Sequence, residues 1–314
     1  MIRLGLCCIF IEQPIKYRTV NGRNLTKLAE SLRPKKLSEL CLHNLRMLLK
    51  SLEYCAHNNI GDFRIQSGLF PLKTHPDLGY DISELPDWKE TRETISKCRA
   101  YAETHNIRTT FHPDQFVVLS TPHPDVLAAS RRELEHQADL AAMLGADVIN
   151  LHCGGVYGDK KKTLKRLAKV IAGLPLNITS RLTLENDDRS YTPEDVIPLC
   201  RKVNIPFVYD VHHHRCLEKD ISEADVSAIT ERALATWDRE PLFHLSSPVN
   251  SWSGGNPCHH HDYIDYADFP DVWKNMSCTI EIEAKAKELA ISRLQNDLLK
   301  DRVAFTDAPS PSRT

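Results

Sequence analysis

Short apolar segments of strand length alternate along this chain with longer segments of helical periodicity, and the alternation occurs eight times. The expected strands cover residues 2–6, 62–66, 107–111, 148–151, 182–185, 207–210, 242–245 and 279–283. Parallel strands need crossover connections, usually helices, so this alternation predicts a parallel sheet. Eight such units favour closure of the sheet on itself. The sequence therefore predicts an α/β fold, a (β/α)8 TIM barrel.

The intervening segments carry the periodicity and the end signals of helices. They cover residues 37–57, 86–105, 124–144, 160–171, a helix that opens at 192–194, then 223–237 and 285–300. In the first segment, Leu45, Leu48 and Leu52 share one helical face. Gly145 predicts the end of the third helix, and Thr192 with Pro193 predicts the start of the fifth.

Length and composition fit a single globular domain. The 314 residues suit one barrel, which we assign to residues 1–300, with a disordered tail at 301–314 that contains Ala308-Pro309-Ser310-Pro311-Ser312. No apolar run reaches the roughly 20 residues that cross a bilayer, and the N-terminus resembles a strand, so we expect a cytoplasmic protein without membrane contact. The ten cysteines are expected as reduced thiols, and nothing in the sequence points away from a monomer.

Metal-binding residue types occur at the C-terminal ends of six consecutive expected strands. These residues are His112, His152, Glu185, Asp210 with His213, His244 and Glu283. The C-terminal ends of the strands converge at one face of a barrel, and imidazoles with carboxylates suit zinc, manganese or iron. A single histidine at a strand end is more often structural, but six occupied strand ends predict a site for several metal ions.

In two histidine clusters the sequence does not determine which residue would bind the metal. Alternation in an extended segment places His212 on the same side as Asp210, whereas a turn beyond the strand would bring His213 to the site. In the triplet 259–261 any member could be the ligand, and the triplet could also be a chance surface patch. Its position in a loop after the seventh strand favours a functional role.

These motifs resemble those of the UV-damage endonuclease family over residues 1 to about 290. The matching stretches are Arg3-Leu4-Gly5, Asn44-Leu45, Phe63-Arg64-Ile65-Gln66-Ser67, Leu69-Phe70-Pro71, His75-Pro76, His112-Pro113-Asp114-Gln115-Phe116, Leu151-His152-Cys153-Gly154-Gly155, Leu184-Glu185-Asn186-Asp187, Asp210-Val211-His212-His213, His244-Leu245-Ser246, His260-His261-Asp262-Tyr263-Ile264 and Glu283-Ala284-Lys285-Ala286-Lys287.

The resemblance implies a TIM barrel similar to that of the type IV apurinic endonucleases, with three divalent ions, typically manganese, although zinc or another metal would suit the ligands. It implies cutting of double-stranded DNA immediately 5′ of a UV photoproduct by metal-activated water, leaving a 3′-hydroxyl and a 5′-phosphate. Glu185 would bridge two ions and, with Glu283, act in catalysis. Carried over by motif, one ion would be completed by Asp210, His244 and Glu283, another by His112 and His152, and the third by His213 and His260.

The resemblance also implies DNA contacts. Gln115 and Phe116 match a pair that wedges into the duplex at the lesion, although Phe116 could instead anchor its loop. Arg64 and Ser67, in their shared motif, are further expected contacts. Other basic residues in loop-side or helical positions are Arg189, Lys160-Lys161-Lys162, Lys165 and Arg166, and a lysine run is more often only a solvated helix face.

The chain departs from the family pattern in four ways. Leu6 stands where a tyrosine is usual, and a nearby asparagine of that motif has no counterpart in Cys7-Cys8-Ile9-Phe10. Phe116 replaces a tyrosine, and Leu242 replaces a lysine two residues before the seventh-strand histidine. These changes leave the metal ligands intact and affect lesion preference. The alternatives are a metal-dependent sugar isomerase or epimerase on a similar barrel and a non-catalytic protein that binds damaged DNA. The net charge of −2 disfavours general nucleic-acid binding without excluding a DNA enzyme that holds cations.

Overall fold

The computed structural model describes residues 1–306, in which eight parallel strands form a closed barrel in sequence order. The strands are β1 (Ile2–Cys7), β2 (Asp62–Ile65), β3 (Arg108–Phe111), β4 (Val148–His152), β5 (Leu182–Glu185), β6 (Phe207–Asp210), β7 (Leu242–Leu245) and β8 (Cys278–Ile282). Closure is made by β8, which pairs in parallel with β1 from Ile2 opposite Cys278 to Leu6 opposite Ile282. The predicted α/β barrel is confirmed.

Helices connect successive strands on the outside of the barrel. They are α1 (Gly22–Leu25), α2 (Arg33–His57), α3 (Trp88–Thr104), α4 (Pro124–Leu144), α5 (Lys160–Ile171), α6 (Leu176–Thr179), α7 (Pro193–Val203), α8 (Val211–Leu217), α9 (Glu223–Leu234) and α10 (Glu288–Lys300). Short 3-10 helices occur at Glu30–Leu32, Ile82–Glu84, Tyr266–Asp268 and Asp271–Asn275. None of the helices within residues 1–306 combines the length and apolar composition needed to cross a membrane.

The end signals read from the sequence act as predicted. Gly145 ends α4 in a left-handed conformation with φ of 82°, which costs a glycine little. Thr192 and Asp195 form a reciprocal capping box at the start of α7, with Pro193 in its first turn.

The structure settles the conformation after β6 and changes the extent of the tail. Of the two conformations left open for residues 211–214, the turn beyond the strand is present as helix α8, because Asp210 caps α8 by accepting a hydrogen bond from the backbone nitrogen of His213 at 2.7 Å. Residues 301–306 were assigned to the tail, but the backbone nitrogen of Ile2 donates to Ala304 and that of Thr306 donates to Ile2, at 3.0 and 2.9 Å. The chain therefore pairs with β1 beyond residue 300, and the remaining tail residues lie outside the described part.

The barrel interior contains many polar residues beside a small apolar cluster of Val148, Val208 and Leu242, whereas the outer layer is apolar. Buried aromatic residues between strands and helices include Phe63, Phe111, Phe207, Phe243 and Trp273. Inside, the buried residues include Asp62, Thr110, Asn150, Thr183 and Glu281. TIM barrels usually fill this space with branched apolar side chains. A polar interior beneath the C-terminal ends of the strands can support charged groups above it. All ten cysteines are free thiols, as expected.

Candidate metal centre

The strand ends bring the expected ligands together around one buried carboxylate, Glu185. One of its oxygens lies 3.3 Å from His112 Nε2 and 3.9 Å from His152 Nε2. The other lies 3.1 Å from His213 Nδ1 and 3.2 Å from His244 Nδ1. Four imidazoles from different elements therefore converge on the last residue of β5.

Three overlapping groups of side chains in this cluster could each hold a metal ion. The groups are His112, His152 and Glu185; Glu185, Asp210 and His213; and Asp210, His244 and Glu283. Within each group the ligand atoms lie within 4.8 Å of one another. Because Glu185 and Asp210 each belong to two groups, these carboxylates are placed to bridge neighbouring ions.

Unpaired polar atoms at the centre of the cluster fit divalent cations. Within residues 1–306, Glu185 Oε1, Asp210 Oδ2 and His244 Nδ1 are buried without a geometrically acceptable hydrogen bond. Leaving such atoms unpaired costs on the order of 1–3 kcal/mol each. Oxygen and imidazole nitrogen lone pairs that converge on one space are the donor set that zinc, manganese and iron accept.

Backbone carbonyls determine which ring nitrogen of His112 and of His260 is free to bind a metal ion. His112 Nδ1 lies 3.2 Å from the Pro113 carbonyl, and His260 Nδ1 lies 2.8 Å from the Glu283 carbonyl. A carbonyl only accepts hydrogen bonds, so Nδ1 carries the hydrogen in both rings and Nε2 keeps its lone pair. This orientation suits metal ligation through Nε2.

The structure shows which member of each histidine cluster approaches the metal centre. His213 contacts Glu185 and Asp210, whereas neither ring nitrogen of buried His212 has a hydrogen-bond partner within residues 1–306. Of the triplet, His260 approaches the centre, with its ring centroid 6.2 Å from that of His213. His259 is exposed, and His261 Nδ1 accepts a hydrogen bond from the backbone nitrogen of Tyr263 at 2.9 Å.

The charges of the cluster are strongly coupled. Burial alone would raise the pKa of Glu185, but the imidazoles of His244 and His152 hold it well below its ordinary value. Burial opposes the charged form of His244, yet the Glu185 carboxylate raises the pKa of His244 to about 10. Burial also opposes charge on His213, whose pKa is nevertheless raised well above its ordinary value by Asp210 and Glu185. Cations that enter this centre must therefore displace protons.

Arg64 was expected to contact DNA, but it does not lie in a loop that could face DNA. It is a buried residue of β2, and its guanidinium donates to Glu281 through Nε at 2.6 Å and to Glu283 through Nη1 at 2.6 Å. These donors are consequently directed into the barrel and are not available to a phosphate outside it. Ser67 is half-buried in the loop after β2, where its carbonyl accepts a hydrogen bond from Gln137.

Sequence reasoning missed two supporting residues, Glu281 and Asn150. Glu281 binds Arg64 and His244 inside the barrel. Asn150 donates to Glu185 Oε2 at 2.5 Å, and its own carbonyl oxygen is held by Thr183 at 2.8 Å. Alternation along a strand was the available signal, since Asn150 lies two residues before His152 and Glu281 two residues before Glu283.

The loop that follows β3 presents Gln115 and Phe116 to solvent beside the cluster. The Phe116 side chain is 78% exposed, so it does not anchor its loop by packing. A cavity of about 420 Å³ extends from this loop to the cluster and is lined by residues that include Gln115, His112, His152, Arg189, His213 and His260. Gln115 and the candidate ligands therefore border one open space, and the exposed ring of Phe116 is the next residue of the same loop.

The basic residues of α5 divide into bound and free groups. Lys160 pairs with Asp195 at 2.7 Å, and Arg166 donates to the Ser120 carbonyl at 2.6 Å. Lys161, Lys162 and Lys165 are exposed, as is Arg189 after β5. Of the positions that depart from the family pattern, Leu6 and Leu242 are fully buried apolar side chains.

Comparison with known proteins gives a consistent family assignment. The model of the family described as UV-endonuclease UvdE matches residues 2–307. The UV DNA damage endonuclease of Nostoc sp. (strain PCC 7120 / SAG 25.82 / UTEX 2576) is 35% identical over 93% of this chain and 89% of its own length. That of Bacillus velezensis is 33% identical over 93% and 91%. The crystal structure of SacUVDE superposes with a TM-score of 0.84 and 26% identity, covering 97% of this chain and all of its own. The chain belongs to the UV-endonuclease UvdE family.

Proposed function

We propose that this protein is a metal-dependent DNA repair endonuclease that cuts the damaged strand immediately 5′ of UV photoproducts. The products would carry a 3′-hydroxyl and a 5′-phosphate. The observation that carries the proposal is the set of three overlapping ligand groups around Glu185, open to a cavity that Gln115 also lines. Curated members of the family with about one third identity bear the name UV DNA damage endonuclease, which supports the same activity.

We propose three divalent ions, manganese foremost, held by residues of this chain. His112, His152 and Glu185 would hold one ion, and Asp210, His244 and Glu283 a second. Glu185 would share the second ion, because its Oε1 lies 3.2 Å from His244 Nδ1. His213 and His260 would hold the third, and Asp210, 3.3 Å from His213 Nδ1, is placed to share it. When bound, such ions activate water and neutralise charge on a phosphodiester.

Other residues of the chain would orient the metal ligands and hold them in place. Asn150 holds one oxygen of Glu185, and the carbonyls of Pro113 and Glu283 orient His112 and His260. Fixed ligands need no rearrangement when a phosphate arrives, which favours the transition state over the ground state. Glu185 is therefore the residue whose charge the reaction needs most.

Lesion recognition would fall to the loop after β3. A UV photoproduct is poorly stacked, so displacing it from the duplex costs less than displacing normal bases. Phe116 could fill the vacated space and stack on neighbouring bases, with Gln115 offering polar contacts. Lys161 and Lys162 are exposed and would approach the phosphate backbone, as would exposed Arg189, whose Nε lies 3.8 Å from Asp188.

A sugar isomerase or epimerase is the weaker alternative. The centre contains five imidazoles from His112, His152, His213, His244 and His260, while such enzymes usually use one or two ions and a carboxylate-rich ligand set. A non-catalytic damage-binding role is also weaker, because three groups of side chains that could hold metal ions lie together around Glu185.

The test is incision of an end-labelled duplex that contains one cyclobutane dimer. Protein stripped with a chelator should be inactive, and added Mn²⁺ should restore a single cut immediately 5′ of the dimer. The undamaged duplex is the matched control. Cutting at unrelated positions, or no cutting by protein that has bound metal, would refute the proposal.

A further inference from the structure

Glu281 is the most completely bonded carboxylate inside the barrel. Its side chain is 1% exposed, and one oxygen accepts a hydrogen bond from Thr110. The other oxygen lies 2.6 Å from Arg64 Nε and 2.9 Å from His244 Nε2 and is also contacted by Arg64 Nη2. Donors from β2, β3 and β7 thus meet on one residue of β8.

Gly5 leaves room for the Glu281 side chain inside the barrel. It lies on β1, the strand between β2 and β8, opposite Asp62 on one side and Glu281 on the other. A side chain at Gly5 would clash with the Asp62 carboxylate, and its Cβ would lie 3.0 Å from Glu281 Cγ. The absence of a side chain at this position therefore lets the Asp62 and Glu281 side chains lie against β1.

The bond to Glu281 determines how His244 faces the metal centre. A carboxylate only accepts hydrogen bonds, so in the neutral imidazole the contact at Nε2 keeps the hydrogen there and leaves the lone pair on Nδ1. His244 Nδ1 lies 3.2 Å from Glu185 Oε1 and 3.6 Å from Glu283 Oε1, in the middle of the candidate ligands. We infer that Glu281 is a positioning residue that makes Nδ1 of His244 the metal-binding atom. This inference rests on the proposed metal-dependent function.

Arg64 offers the competing arrangement. Its Nη2 lies 2.9 Å from His244 Nε2 and could donate to it, which would move the imidazole hydrogen to Nδ1 and block ligation. Glu281 Oε2 opposes this arrangement, because it accepts a hydrogen bond from the same Arg64 Nη2 and lies 2.9 Å from His244 Nε2.

Glu281 has a second effect through charge. Arg64 also donates to Glu283 Oε1 at 2.6 Å, so its positive charge lies next to a proposed metal ligand. The Glu281 carboxylate balances that charge, which leaves the charge of Glu283 available to a cation. Without Glu281, the charge of Arg64 would repel the ions, and His244 would no longer be held in this orientation.

The experiment compares three variants with the wild-type protein after chelation. Glu281→Gln removes the charge at nearly constant shape. The double variant Arg64→Met with Glu281→Leu removes both charges together, which avoids leaving a buried guanidinium unpaired. Glu240→Gln is the matched control, since Glu240 also pairs with a buried arginine, Arg3 at 2.9 Å, where β7 begins. Mn²⁺ affinity is measured by titration, and thermal unfolding verifies the fold.

We expect Glu281→Gln and the double variant to bind one ion about 10- to 100-fold more weakly, and Glu240→Gln to bind as the wild type does. In Zn²⁺-loaded protein labelled with ¹⁵N-histidine, nuclear magnetic resonance should show His244 coordinated through Nδ1 and protonated at Nε2. The Nε2 proton signal should be lost in the double variant.

Wild-type affinity in Glu281→Gln would overturn the inference. Coordination of wild-type His244 through Nε2 would overturn it even if no variant folds. Failure of the wild-type protein to bind any divalent ion would instead overturn the proposed function.

Discussion

Replacement of Phe116 by alanine separates DNA recognition from folding. The side chain is 78% exposed, so only about a fifth of its surface is protected in the free protein. Complete burial of a phenylalanine contributes about 1.5–3 kcal/mol, so the loss in the free energy of unfolding should be about 0.5 kcal/mol. For a chain of this size, that corresponds to a fall in Tm of about 1–2 °C.

The effect on binding should be much larger. Stacking of an aromatic ring on a base contributes about 1–3 kcal/mol. Since 1.4 kcal/mol is a tenfold change in affinity, Phe116→Ala should raise the Kd for dimer-containing DNA about 5- to 150-fold. Hydrolysis of bound substrate should change less, because Phe116 is not among the ligand groups.

Fluorescence anisotropy with a labelled duplex containing one dimer, and the same duplex without it, measures the binding effect. Single-turnover cutting at saturating protein measures the chemical step. Leu176→Ala is the matched control, because Leu176 is 79% exposed but lies in α6, before β5 begins, at the other end of the barrel. Unchanged affinity of Phe116→Ala for damaged DNA, or equal losses in binding and hydrolysis, would refute a probing role.

Further predictions concern charge and protonation. Glu185→Gln should lower cutting at least about 100-fold with an unchanged circular dichroism spectrum, because it removes the carboxylate shared by two ligand groups; near-normal cutting would contradict the assignment. Lys161→Ala with Lys162→Ala should reduce the slope of log Kd against log salt by about 1–2, measured by anisotropy at several salt concentrations; an unchanged slope would mean that these lysines are only solvated. The raised pKa of His244, about 10, means that ions compete with protons, so Mn²⁺ affinity measured by titration from pH 6 to 8 should increase with pH, and a flat profile would argue against ligation by His244. Burial, and then the nearby Glu281 carboxylate, raise the pKa of Asp62 in the folded protein. The stabilisation that protonated Asp62 contributes is therefore complete below its pKa in the unfolded chain, about 3.9, and is lost as the pH rises toward its pKa in the folded protein. The Asp62→Asn variant does not titrate at this position. Its free energy of unfolding, compared with that of the wild-type protein in denaturant titrations, should therefore rise by at most about 1.4 kcal/mol per pH unit between pH 5 and 7, and a constant difference would contradict this.

The strand ends could be read from the sequence because two constraints coincide there. Apolar runs such as 182–185 define strands, and in a parallel barrel the residues that close them share one face. Glu185 and Asp210 were therefore placed correctly at the ends of β5 and β6, with no knowledge of neighbouring strands. The end of α4 at Gly145 was equally local, since it depends on one backbone conformation.

Contacts across the barrel could not be read in this way. Arg64 was expected to contact DNA, but it is bonded inside the barrel to Glu281 and Glu283, which lie more than 200 positions away in sequence. The choice between His212 and His213 could not be made from the sequence, because it depends on the short helix α8, which a capping contact from Asp210 starts. Side-chain hydrogen bonds of this kind leave no periodic signal.

Metal content tests whether the residues gathered around Glu185 form a multi-ion centre. Protein purified without a histidine tag, loaded with Mn²⁺ and desalted, should retain about three ions per chain by elemental mass spectrometry, matching the three overlapping groups. Glu185→Gln, folded normally, should retain fewer. A wild-type protein that retains no stoichiometric metal would contradict metal-dependent incision by this barrel.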